Sequence, residues 1–275
     1  MTGTSGPIGV FDSGYGGLTV LGELRRRLPE YDYLYLGDNA RAPYGSRSFD
    51  VVYNFTRRSV RYLFDRGCPL VILACNTASA KALRSIQQKD LPGWEDGLRV
   101  LGVIRPTAEA IGSISRSGKV GILGTPGTVS SRSYDMEIAK LHPGFATYST
   151  ACPMLAPIVE CGEASGPGAD YFVRKYTGAL LGQDPDIDTL VLGCTHYPLL
   201  LPKFREVVPE SVQIVSQGEI VADSLADYLK RHPEMESRLR RGGECKYLTT
   251  EDPTKFTDLA RIFLNESVDV EHVDF

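Results

Sequence analysis

The sequence predicts an α/β fold built as two pseudo-symmetric lobes with mainly parallel sheets, and three observations lead there. First, short apolar runs rich in branched residues alternate with amphipathic stretches from Ile8 to about Val215, the pattern of parallel strands joined by helices. Second, Ile8-Gly9-Val10-Phe11-Asp12-Ser13-Gly14 has a counterpart in Val120-Gly121-Ile122-Leu123-Gly124-Thr125-Pro126. Both are a short strand running into a Gly/Ser/Thr loop. Third, Leu70-Val71-Ile72-Leu73-Ala74-Cys75-Asn76-Thr77 and Thr189-Leu190-Val191-Leu192-Gly193-Cys194-Thr195-His196 each place a cysteine beside a polar donor where a buried strand gives way to a loop. The two loops and the two cysteines are separated by nearly equal offsets, as a duplicated unit predicts.

Taken in order, strands are expected at Ile8–Phe11, Tyr33–Leu36, Leu70–Ala74, Val100–Val103, Val120–Leu123 and Leu190–Leu192. Amphipathic helices are expected over Leu18–Leu28, Val51–Arg66 and Ala78–Gln88. The lobe boundary falls near Val103–Ala108. The tail from Ser216 to Phe275 is more polar and reads as mostly helical, over Ile220–Arg231 and Pro253–Asn265. Packed back on the first half, it would make a discontinuous first lobe of residues 1–103 plus 216–275 around a second lobe of 104–215. The pattern by itself leaves the tail's placement open.

The 275 residues carry a formal net charge of -4 with no long block of one sign, which argues against nucleic acid or an anionic membrane as partner. No apolar run approaches the roughly 18 residues of a membrane helix. Met1–Pro7 lacks the basic and apolar regions of a signal peptide and reads as a short flexible lead-in. The 6 cysteines form no C-x-x-C pair and, with the 4 histidines, no zinc-finger spacing. Free thiols in a cytoplasmic chain without a metal are the expectation.

Ligands of α/β folds bind at the carboxyl ends of strands. Asp12-Ser13-Gly14-Tyr15-Gly16-Gly17 sits at such an end, without the spacing of a nucleotide loop. Asp12 and Ser13 suit either a small polar ligand or a helix cap. In Gly37–Gly45, Arg41 suits either a substrate carboxylate or a structural salt bridge, while Tyr44 and Gly45 offer a phenol and a close amide. At Cys75 and Cys194, helix-start amides favour thiolate over thiol, and Asn76, Thr77 and Thr195 bring donors for a carboxylate. His196 is placed to share a proton with Cys194 or to position it. Glu160 ends an apolar stretch, as a helix-end group or a site acid. Cys152, Cys68, Cys161 and Cys245 read as packing or surface residues, and Lys81 as solvent-facing.

Ile8–Leu18, Pro43-Tyr44-Gly45, Ala74-Cys75-Asn76-Thr77-Ala78-Ser79-Ala80 and Leu192-Gly193-Cys194-Thr195-His196-Tyr197-Pro198-Leu199-Leu200 together resemble the glutamate racemase family of the cofactor-independent aspartate/glutamate racemase superfamily. Thr125–Val129 and Ala151–Pro153 resemble family segments too. The resemblance implies two lobes with the active site in the cleft between them, no cofactor, a homodimer, and supply of D-glutamate for peptidoglycan. By position it makes Cys75 and Cys194 the acid/base thiols, assisted by Asp12, Glu160 and His196. It makes Asp12, Ser13, Tyr44, Gly45, Asn76, Thr77, Thr195 and His196 the substrate-binding set. The chain departs from the family pattern at Cys161, where many relatives carry a second acid, and at Asn39 and Ser216.

Two thiols suit such a reaction. An α-hydrogen is a weak acid, and no residue pattern singles out a Schiff-base lysine to hold an electron sink. Inversion with two bases removes the proton from one face and returns one to the other, and cysteine is an acid whose ionisation is readily tuned. The competing readings are a racemase for aspartate or another dicarboxylate, a one-thiol hydrolase or transferase, and a non-catalytic amino-acid-binding protein. The first differs in substrate length, the second requires a covalent intermediate, and the third has no need of both thiols.

Overall fold

The computed structural model describes residues 5–275. Residues 1–4 of the expected lead-in lie outside the described residues. Gly6 is fixed rather than loose: it forms a parallel bridge with Leu239, its amide donates to Arg238 O at 2.9 Å, and its carbonyl accepts from Arg240 N at 2.8 Å.

The strands in chain order are β1 Ile8–Asp12, β2 Tyr33–Gly37, β3 Leu70–Leu73, β4 Arg99–Gly102, β5 Lys119–Gly124, β6 Ala146–Ala151, β7 Thr189–Gly193, β8 Gln213–Val215, β9 Cys245–Thr249 and β10 Val270–His272. They form a six-stranded sheet, β10-β9-β2-β1-β3-β4, and a four-stranded sheet, β6-β5-β7-β8. Every pairing between these strands is parallel. The chain crosses from the first sheet to the second between β4 and the helix Ile104–Ile114, and returns between β8 and the helix Gln217–Arg231.

Helices cover both faces of each sheet, so the central strands are apolar throughout rather than alternating. Along β1, Val10 packs with Tyr35, Ile72 and Leu225 on one face. Its neighbour Phe11 packs with Leu36, Leu63 and Leu73 on the other. The second sheet repeats the device: Leu123 and Leu192 lie with Leu155 and Val173, and Ile122 and Val191 with Ile111 and Ile138. Emptying such a site, as in Leu73→Ala, costs about 2–5 kcal/mol.

Each of the six expected strands is present, with ends moved by a residue or so. Four others were not read from the pattern. β6 (ATYSTA), β8, β9 and β10 are polar or short, and β6, β8 and β10 lie at sheet edges, where one side needs no apolar cover. The tail is mainly helical as read, over Gln217–Arg231, Pro233–Glu236 and Pro253–Leu264, and it also carries two strands. Its β9 pairs with β2, Tyr33 opposite Cys245, and extends the first sheet.

The helix expected over Ala78–Gln88 is three pieces: Asn76–Lys81, Leu83–Ser85 and a wide turn, Ile86–Asp90. Asp90 ends it, held by the Tyr53 hydroxyl at 2.8 Å and Arg57 Nε at 2.6 Å. A wider turn spends one extra residue per hydrogen bond and so re-aims the end of a helix.

Candidate active site

Asp12 is the last residue of β1 and is almost wholly buried. Its Oδ2 accepts from Gly14 N at 2.8 Å, while Oδ1 has no partner among the described residues. A Cβ on Gly17 would lie 2.4 Å from Asp12 Cβ, so the loop closes this tightly only with glycine there. Burial raises the Asp12 carboxyl above its ordinary range, against the opposing pull of His196 and of the loop amides.

Cys75 follows β3 and caps the helix Asn76–Lys81, its Sγ accepting from Ala78 N at 3.4 Å. Ser13 Oγ lies 3.2 Å from that sulfur. The helix-start amide nevertheless does not make Cys75 a resting thiolate. Burial, followed by the charge of Asp12, pushes the thiol up to about 12, and the Ser13 and Ala78 hydrogen bonds recover only part of this. The helix dipole favours thiolate, but here desolvation outweighs it.

The second half has a different electrical setting. Cys194 follows β7 and its Sγ lies 3.7 Å from His196 Nδ1; His196 Nε2 lies 2.9 Å from Glu160 Oε1. Glu160 ends the helix Leu155–Glu160, and the edge of the His196 ring meets Phe263. Burial works against charge on the imidazole, but the hydrogen bonds to Cys194 and Glu160 outweigh it and raise His196 to about 10. These two contacts therefore favour the charged form of the imidazole.

The two halves meet in direct contact. Charge on Cys194 is felt at Cys75. Thr19 Oγ1 donates to Thr195 O at 3.0 Å, Gly127 N to Gly45 O at 2.7 Å, and Thr77 Oγ1 lies 2.9 Å from Thr125 Oγ1. A Cβ on Gly16 would lie 2.2 Å from Thr195 Oγ1 and 2.5 Å from His196 Nδ1. A Cβ on Gly14 would lie 3.6 Å from Glu160 Oε1, so the Asp12 loop also faces the acid of the other half. A cleft of about 1190 Å³ lies to one side, lined by Thr19, Leu199, Arg205, Gln213 and Phe263 among others.

The structure thus gathers Asp12, Ser13, Cys75, Glu160, Cys194, Thr195 and His196 at the facing strand ends. Asn76 and Thr77 lie in the same place, with side chains already engaged, Asn76 with Tyr134 and Gln217 and Thr77 with Thr125. The Tyr44 phenol donates to Asp38, which leaves the backbone of Tyr44 and Gly45 as what this loop offers a ligand. Arg41 forms a structural bridge to Asp38 at 2.6 Å and donates to Phe275 O at 3.0 Å. Lys81 is buried rather than solvent-facing, its Nζ donating to Arg47 O at 2.7 Å. Cys68 and Cys152 are buried in apolar clusters and Cys161 is exposed, as read. The sequence reading missed Tyr134, Gln217, Lys81 and Phe263. Each meets its partner across tens of residues, so no local signal marked them.

Residues 19–225 match the family model described as Asp/Glu/Hydantoin racemase. A glutamate racemase of Roseobacter denitrificans is 43% identical over 272 residues, covering 95% of this chain and 98% of that one. Among solved structures, a glutamate racemase isoform from Bacillus anthracis superposes with a TM-score of 0.89 at 35% identity, covering 98% of this chain and 97% of its own. The glutamate racemase from Francisella tularensis, solved in complex with D-glutamate, gives 0.86 at 29% identity, covering 100% and 98%.

Proposed function

The chain belongs to the Asp/Glu/Hydantoin racemase family, and from that premise we infer that it interconverts L- and D-glutamate, without cofactor, using Cys75 and Cys194 on opposite faces of the α-carbon. One observation carries the residue assignment: two buried thiols on equivalent strand ends, one from each lobe, with the charge of Cys194 felt at Cys75.

In this reading the lobes are residues 1–103 plus 216–275 and residues 104–215. The substrate ammonium goes to Asp12, whose Oδ1 lacks a partner and whose burial calls for a cation. The α-carboxylate goes to the first amides of the helix after Cys75, which have no intrahelical acceptor, and to Thr195. Ser13, Tyr44, Gly45, Asn76 and Thr77 complete the binding set. Donors on that carboxylate take up charge as the α-carbanion forms.

Cys194 beside the His196 cation is then the thiolate base, and protonated Cys75 the acid. Removing the α-proton makes a Cys194 thiol, and delivery from Cys75 to the opposite face leaves a Cys75 thiolate. The states have exchanged, and the reverse turnover restores them. Glu160 holds the imidazole and keeps it charged. The closed junction keeps water from the carbanion.

Incubation with L-glutamate in deuterated water, with no cofactor added, tests the reading. Loss of optical rotation with deuterium uptake at the α-carbon is expected; retention of rotation overturns it, and faster turnover of aspartate overturns the substrate. On the same reading the D-glutamate serves peptidoglycan synthesis in the cytoplasm. No described helix is long and apolar enough to cross a membrane. The protein acts as a homodimer, and light scattering that returns the 30.1 kDa of one chain overturns that part.

A further inference from the structure

Behind the site lies a closed ring of buried polar groups. The Tyr134 hydroxyl donates to Asn76 Oδ1 at 2.7 Å, Asn76 Nδ2 donates to Gln217 Oε1 at 2.7 Å, and Gln217 Nε2 donates back to the Tyr134 oxygen at 2.6 Å. The second hydrogen of Gln217 Nε2 goes to Thr107 Oγ1 at 2.8 Å, and Thr107 donates to Val103 O at 2.8 Å. Asn76, Thr107, Tyr134 and Gln217 are each no more than 4% exposed. The donors run one way round, and the side-chain amides have one consistent orientation. Turning Gln217 over would set its N–H against the Asn76 N–H, and turning Asn76 over would set oxygen against oxygen.

The ring's placement gives it meaning. Asn76 directly follows Cys75. The edge of the Tyr134 ring lies against Gly193, the residue before Cys194: a Cβ there would be 3.4 Å from Tyr134 Cε2. Tyr134 therefore reaches from the backbone beside one thiol to the side chain beside the other. Gln217 and Thr107 sit just past the two points where the chain crosses between the sheets.

We propose that Tyr134, held by Gln217, is a positioning residue that sets the spacing of the two thiols across the substrate. A buried group with one satisfied hydrogen-bonding arrangement resists displacement, because any shift leaves a donor or acceptor unpaired. A racemase working from both faces needs a fixed distance between its acid and its base, and this phenol spans it. The proposal rests on the two-thiol reading above.

The test uses Tyr134→Phe, which keeps the ring against Gly193 and removes only the hydroxyl, with Gln217→Met and the double variant beside it. Expected is a fall in kcat of about 10- to 100-fold, the scale on which a displaced catalytic group costs rate. KM should move far less, and the loss should be equal in the L-to-D and D-to-L directions, since spacing serves both. The double variant should lose little more than either single one, because the ring acts as a unit. A folded Tyr134→Phe with wild-type kcat overturns the proposal, as does a loss that multiplies in the double variant. If Tyr134→Phe does not fold, Gln217→Met is judged by the same kcat and symmetry criteria. Iodoacetamide labelling of Cys75, followed by peptide mass spectrometry, is an arm independent of turnover. A several-fold change of rate in Tyr134→Phe is expected, and an unchanged rate overturns the proposal. A wild-type protein that labels as described yet does not racemise glutamate fails the functional reading and leaves the positioning result standing.

Discussion

The two lobes deliver their cysteines on the same backbone device and then treat them differently. In each, a parallel strand buried on both faces ends in a cysteine followed by a polar donor. Around Cys75 the partners are a hydroxyl, an amide and a nearby carboxylate, and the thiol keeps its proton. Around Cys194 the partner is an imidazole that Glu160 keeps charged. Backbone duplication copies a position, and charge is then set by a few side chains from other elements. On the proposed mechanism, that division lets one repeated scaffold supply an acid and a base at the same time.

The comparison is sharpened most by removing the sulfurs. Cys75→Ser and Cys194→Ser should each lower racemisation on the order of 10³-fold or more, a serine hydroxyl being too weak an acid to replace a thiol. Near-normal racemisation in both variants breaks the two-thiol mechanism. Next comes the junction that brings the halves together. Gly16→Ala sets a methyl against Thr195 and His196, and overpacking of this kind costs about 1–3 kcal/mol. The lobes should part enough to remove most activity while each keeps its fold, as circular dichroism beside an activity assay would show; full activity would mean that the junction gives way easily.

His196→Asn separates the two thiols directly. It should slow the reaction by about 10- to 100-fold, within the range of a lost acid/base assistant, and it should do so unequally in the two directions of proton abstraction followed by isotope exchange. The overall equilibrium cannot shift, so the Michaelis constants compensate. Equal losses in both directions would assign His196 to both halves. The smallest effect is on stability. His196 is raised from 6.5 to about 10, so its contribution is fully present below pH 6.5 and is lost as pH rises through about 10. The Tm advantage of wild type over His196→Asn should therefore shrink across that window. An advantage that grows with pH contradicts the buried cation.

How much of this was legible depended on what each residue answers to. β1, β3 and β7 are buried on both faces, and their composition declares it. The cysteines that follow β3 and β7 were readable because the motif occurs twice. β9 carries CKYLT, a mixture that reads as strand only once β2 is known to lie beside it. Lys81 was misread because a lysine on a short helix is ordinarily solvated; its burial is set by the carbonyl of Arg47, 34 residues away. Which thiol rests protonated was not legible, because it depends on how deeply Cys75 is buried beside Asp12, which the sequence does not show. The ring of Asn76, Tyr134 and Gln217 joins side chains 58 to 141 residues apart, each unremarkable in its own stretch of chain.

The contacts from Thr19 to Thr195, Gly45 to Gly127 and Thr77 to Thr125 also set a clock. On the proposed reading, glutamate reaches the buried thiols as those bonds are exchanged for bonds to water, and product leaves by the same exchange. Relative movement of whole lobes runs on microseconds to milliseconds and pushes solvent aside as it goes. Turnover therefore feels the friction of the medium. A thickened solution slows the passage of substrate and product without touching the proton transfers, and the α-deuterium isotope effect on kcat shrinks as the motion takes a larger share of each cycle.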